Sequence, residues 1–204
     1  FVFRHSAPNA TVIDAASGAI LGTIDLGGAP EEAVSDGEGH VFVDLEDKDQ
    51  VLAIDTAAMK VSARFGLDGK GGGPGALAMD VKHHILFAAC HDPATMVVLD
   101  SWDGKILATM PIGMGLDSPG LNPQTMEAFS SQGDGTLTVI KENDPAHFAV
   151  EQTVQTMPGA RTMTLDTKTG HVFVVSAQFG PLPSSPDATG HRPRRGPMIP
   201  GSFS

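Results

Sequence analysis

The sequence predicts an all-β fold of repeated four-stranded sheets, on three observations. One pattern recurs along the chain: an acidic turn falls at Asp36, Asp80, Asn122 and Asp166, at intervals of 44, 42 and 44, and a second anchor falls at Asp14, Asp55, Asp100 and Lys141, at intervals of 41, 45 and 41. Each unit holds short apolar, β-branched or aromatic runs bounded by turn residues, which read as strands. The composition is turn-rich rather than helical, with 24 Gly, 15 Pro and 18% charged residues. A repeat of this length with four strands per unit is the signature of propeller blades. The predicted fold class is therefore a β-propeller, a partial ring of about three complete four-stranded blades plus two partial ones.

Within each unit the strands are assigned by pattern. Val41 to Val43, Ile85 to Phe87, Ala128-Phe129 and Val172 to Val174 are one strand in successive units. Val51 to Ile54, Met96 to Leu99 and Leu137 to Ile140 are apolar without strict alternation, as a strand covered on both faces reads. Ile20 to Leu26, Val61 to Leu67, Ile106 to Ile112 and Val150 to Thr156 form the outer strand. Ser17-Gly18, Asp103-Gly104 and Thr169-Gly170 supply hairpin turns. Asn143 to His147 reads as a longer hairpin loop, and Gly71 to Gly75 as a flexible connection between blades.

With strands lettered A (innermost) to D, residues 1–178 comprise B-C-D, three full blades and A-B. Residues 179–200 hold prolines 181, 183, 186, 193, 197 and 200 with Arg192, Arg194 and Arg195, and read as a loop because proline cannot join a ladder. Residues 201–204 read as the start of a truncated strand. Rings close with roughly 4 to 8 blades, and the chain opens mid-strand at Phe1, so it reads as a piece of a longer protein. Its unpaired edges and open blade faces predict aggregation or dimerisation of this stretch alone.

The formal net charge of -11 argues against nucleic acid, whose binding runs on Lys and Arg neutralising phosphates, and against anionic membranes. No apolar run approaches the roughly 18 residues of a membrane span. A single cysteine, Cys90, excludes an internal disulfide, and its place at the end of an apolar strand reads as a small core residue rather than a reactive thiol. Trp102 sits at a hairpin tip, where it covers a blade edge.

Four stretches carry a family resemblance: Thr11 to Asp14 with Ser17-Gly18, Val51 to Asp55, Phe129 to Ile140, and Pro158 to Asp166. They resemble the YVTN-type β-propeller repeats of bacterial and archaeal extracytoplasmic proteins, over residues 1–178, with the chain standing as a C-terminal fragment. The resemblance implies a seven-bladed propeller placed in the periplasm or secreted behind an N-terminal export signal; it implies no activity. The chain departs from that pattern by lacking at least two blades and by placing Pro119-Gly120 in an innermost strand.

Propellers offer ligands the mouth of the central channel, built from the loops leading into strand A and the B–C loops. Aligning the repeats puts Glu31, Gly75, Asp117 and Arg161 at equivalent mouth positions, with Glu46 to Asp49, His91-Asp92 and Gln132 to Asp134 in the B–C loops. The functional reading is a polar ligand site of Glu31, Asp117, Arg161, His91 and Asp134, with Arg161 as an anion clamp and the carboxylates as acceptors. The plainer reading is a solvated rim or an interblade ion pair, and it takes precedence because most polar rim residues are only surface. The repeat-position histidines His40, His84 and His171 lie in different blades and cannot converge on one ion, so no metal is predicted. No cofactor, catalytic residue or nucleophile elbow is predicted either.

The preferred function is a non-catalytic extracytoplasmic scaffold that binds a small ligand or protein partner at the mouth. A propeller-type enzyme, such as a lactonase or a cofactor-dependent oxidoreductase, is the first alternative. A surface-layer or adhesive module is the second.

Overall fold

A computed structural model describes residues 1–182 and 196–204. Strands β1 (Val2–Arg4), β2 (Asn9–Ile13) and β3 (Ile20–Asp25) form a three-stranded antiparallel sheet. Three four-stranded antiparallel sheets follow: β4 (Pro30–Ser35), β5 (His40–Leu45), β6 (Gln50–Asp55) and β7 (Lys60–Gly66); β8 (Pro74–Asp80), β9 (Ile85–His91), β10 (Ala94–Asp100) and β11 (Ile106–Pro111); β12 (Leu116–Asn122), β13 (Glu127–Gln132), β14 (Thr136–Asp144) and β15 (His147–Gln155). A pair, β16 (Thr162–Asp166) and β17 (His171–Val175), completes the described strands. The chain is a β-propeller whose ring is not closed.

The acidic position of the repeat is a turn device. Asp36, Asp80, Asn122 and Asp166 each accept, on Oδ1, the N–H of the residue two further on, at 2.8, 3.0, 3.0 and 2.9 Å. A short side chain that satisfies a main-chain donor in this way tightens the turn between the first two strands of a blade. The second anchor works alike: Asp14 and Asp100 accept the N–H of Ala16 and Trp102.

The core lies between sheets, not within them. Leu26, Val43, Leu45 and Ile54 pack the first sheet against the second. Phe42, Leu77, Leu86 and Leu99 pack the second against the third. Phe87, Met96, Leu116 and Ile140 pack the third against the fourth. Phe129, Leu137 and Val139, with Met163 and Leu165, pack the fourth against the β16–β17 pair. Middle strands are therefore covered on both faces, which is why they lack hydrophobic alternation.

Two expectations change. The Gly71 to Gly75 run is a tight crossing rather than an open connection: a Cβ on Gly71 would meet Cys90 Sγ at 2.6 Å, and one on Gly72 the Asp92 carbonyl at 2.7 Å. Only glycine lets the backbone pass that close. Strands β14 and β15 extend into the segment read as a long loop, leaving Pro145-Ala146 as the connection, with a register shift between Glu142 and Asp144. Ser204 exchanges main-chain hydrogen bonds of 2.9 and 3.0 Å with Ser176. Most of the Pro/Arg-rich stretch, including Arg192, Arg194 and Arg195, lies outside the described residues.

Candidate functional site at the channel mouth

Each innermost strand of the three complete sheets begins with a register irregularity: between Pro30 and Ala33 in β4, Pro74 and Ala76 in β8, and Leu116 and Ser118 in β12. Bulges re-aim the side chains they carry. The irregular segments hold Glu31, Glu32, Gly75 and Asp117, and Arg161 immediately precedes β16. The equivalent positions aligned in the sequence are thus the points where the ladders give way.

Two groups form there. In the first, His5 Nδ1 lies 3.0 Å from Glu31 Oε1, and donor atoms of His5, Glu31 and Glu46 lie within 4.8 Å of one another. Burial raises the Glu31 carboxyl above its ordinary value; the His5 charge opposes the shift, the Glu46 charge and hydrogen bond add to it, and His91 opposes it. His91 leans over Gly75, where a Cβ would meet its Nε2 at 2.9 Å. The glycine in the mouth ring therefore makes room for a histidine from the neighbouring strand.

In the second group, Asp117 Oδ1 lies 3.4 Å from Arg161 Nε, and Asp117 Oδ2 accepts the Thr162 hydroxyl at 2.8 Å. This is the interblade ion pair of the plainer reading. Glu32 is raised by burial first, then by the charges of Asp117 and Glu31. Glu32 stands on β4 and Asp117 on β12, two sheets apart, so their charges sense each other across the channel.

Beneath Glu32 lies Asp44 on β5, fully buried. Its Oδ1 accepts the Glu32 N–H at 2.7 Å, and its Oδ2 has no partner among the described residues. Burial lifts its carboxyl well above the ordinary range, eased by the Glu32 N–H and reinforced by the charges of Glu32 and Glu31.

The folded protein thus holds the Asp44 proton more tightly than the unfolded chain does. That contribution to stability is complete below the ordinary value of 3.8 and is lost as pH rises through the raised one. Asp44→Asn keeps the Oδ1 acceptor and removes the ionisation. The variant is expected to gain on wild type in thermal melts as pH rises above the ordinary carboxylate value, where wild type loses this contribution. A pH-independent difference would contradict it.

Asp134 is held by the loops around it. Its carboxylate accepts the Met114 N–H at 2.7 Å, the Thr136 N–H at 3.0 Å and the Thr136 hydroxyl at 2.6 Å. It braces the loop into β12, much as Asp47 accepts from Ala29 and Asp49 from Gly73.

Sequence reading missed His5, Glu32 and Asp44. Asp44 left a signal, a carboxylate inside the apolar run Val41 to Leu45. His5 left none, because it meets Glu31 only through packing of the first sheet on the second.

The chain matches no protein-family model and no curated protein. It is similar in structure to a component of the Mitotic Checkpoint Complex, with a TM-score of 0.70 and 11% identity over 82% of this chain and 53% of that one. It is also similar to hydrazine synthase of Kuenenia stuttgartiensis, with a TM-score of 0.65 and 15% identity over 83% of this chain and 49% of that one. A third likeness is to the complex of KlAtg21 with the coiled coil of AgAtg16, with a TM-score of 0.62 and 14% identity over 82% of this chain and 56% of that one. The chain spans about half the length of these structures. At such identities the likeness shows the fold alone: a β-propeller scaffold. Among the described residues, no helix is long and apolar enough to cross a membrane.

Proposed function

We propose that this chain is part of a YVTN-type extracytoplasmic propeller that binds, at its channel mouth, a ligand bearing a positively charged group. The repeat stretches around Asp14, Asp55 and Asp166 support the family and, through it, a periplasmic or secreted location. The observation that carries the binding reading is the charge balance of the mouth. Glu31, Glu32, Glu46 and Asp117 line the mouth, while Arg161 is already engaged by Asp117.

The site therefore favours a cation over the anion that a free Arg161 would clamp. Raised carboxyls next to one another are stabilised when a cationic group arrives between them. Asp117 and Glu31 keep their role as acceptors, His91 borders the site, and Arg161 orients Asp117. Asp134, exposed, holds the loop into β12 and stays a further acceptor.

Calorimetric titration with spermidine, and with citrate as the opposite-charge probe, tests this. Spermidine is expected to bind wild type and citrate not. Glu31→Gln combined with Asp117→Asn is expected to weaken spermidine binding at least tenfold, or about 1.4 kcal/mol. Citrate binding without spermidine binding, or spermidine binding indifferent to both substitutions, would overturn the reading. A hydrolytic activity abolished by Glu31→Gln would replace it with the enzyme alternative.

A further inference from the structure

A second cluster sits at the other end of the blades. Gly75 and Asp80 are at opposite ends of β8, about 16 Å apart at roughly 3.3 Å per residue. Asp80 closes β8, His83 follows in the turn, and Glu142 lies on β14 of the neighbouring sheet. His83 Nδ1 is 2.6 Å from Asp80 Oδ2 and 2.9 Å from Glu142 Oε1. Ligand atoms of all three residues lie within 4.8 Å of one another.

Two features set this cluster apart from an ordinary ion pair. Asp80 and Glu142 are both buried, and one imidazole nitrogen faces both carboxylates, so its single proton cannot satisfy the two of them. Glu142 Oε2 is also buried and without a partner among the described residues. Unpaired carboxylate oxygens in a protein interior are costly unless a cation or a donor meets them.

We propose that Asp80, His83 and Glu142 form a three-ligand site for a divalent transition-metal ion, with zinc the best match to the donor set. A dication balances two carboxylates and a neutral imidazole, displaces the shared proton and gives Glu142 Oε2 a partner. Zinc bonds of about 2.0–2.2 Å place such donors roughly 3.3 Å apart, so the contacts of 2.6 and 2.9 Å open by about 0.7 and 0.4 Å. The Lys82 N–H, 3.0 Å from Asp80 Oδ1, fixes the orientation of the first ligand. His83 is partly exposed, which provides entry for the ion and room for a water as fourth ligand. Because the ligands come from two sheets, the ion clamps one blade to the next.

The pressure on Glu142 agrees with this. Burial and the Asp80 charge push its carboxyl up to about 7, with His83 working against them. A dication would reverse that pressure.

The test uses protein stripped with a chelator and titrated with zinc chloride, followed by calorimetry and thermal melts. One ion per chain is expected, with a rise of about 5–10 °C when free zinc stands at a hundred times Kd. His83→Gln and Glu142→Gln are each expected to lose binding and shift, with circular dichroism confirming their fold. Glu46→Gln is expected to keep both, which separates this site from the acidic mouth. Cobalt substitution of wild type gives a readout independent of any variant: visible bands of a low-coordinate nitrogen–oxygen site are expected. Absence of stoichiometric zinc binding, binding retained in both cluster variants, or binding lost in Glu46→Gln would each overturn the proposal.

Discussion

Phe87→Ala is expected to be the most damaging single substitution, costing about 3–5 kcal/mol of stability. Phe87 is fully buried on β9, packed with Met96, Leu116 and Ile140 between two sheets, and meets the Phe148 ring edge-on at a centroid distance of 6.0 Å. Truncation removes the transfer energy of the ring and leaves a cavity that β-strands on both sides cannot collapse to fill. Total stabilities run at about 5–15 kcal/mol, so the loss is a large fraction of what holds the chain together. Urea unfolding monitored by circular dichroism checks it. Phe173→Ala is the internal control: Phe173 occupies the corresponding strand of the last sheet but is 57% exposed, and less than about 1 kcal/mol is expected. Equal losses from both would show that the sheet interfaces do not carry the stability.

Cys90 is expected to resist thiol reagents in the folded protein and to react promptly once unfolded. The thiol is fully buried at the end of β9. Burial first, then the charges of Asp44 and Asp49, push it from 9.0 to about 12. Since the thiolate is the nucleophile, that shift alone lowers the reactive fraction near neutral pH about a thousandfold. Exclusion of the reagent slows the reaction further. Labelling with a chromogenic disulfide, with and without guanidinium, measures the ratio. Complete labelling of native protein within minutes would show that the strand end opens readily.

The repeat was legible because its physics is local. An aspartate that accepts the N–H two residues on leaves the same trace at Asp36, Asp80 and Asp166, and Asn122 can substitute because its Oδ1 accepts equally well. The doubly covered middle strands were legible because burial on both faces removes alternation. The loop after β14 was misread because Pro145 and Ala146 look like an irregular segment when they are the tip of a longer hairpin. The glycine run at Gly71 to Gly75 was misread because glycine marks both mobility and close approach, and only the position of Cys90 tells them apart.

From its sequence alone this protein could be assigned its strands and its blade period, since each depends on residues near one another in the chain, and the period aligned Glu31, Gly75, Asp117 and Arg161 as equivalent positions. Tertiary structure decided which of those groups meet. It paired Arg161 with Asp117, turned Asp134 into a loop brace, brought His5 onto Glu31, and set His83 between Asp80 and a Glu142 that lies 59 residues away. The reason is the interface between sheets: side chains from separate repeats touch only after the blades stack, and burial then alters the charge that each can hold.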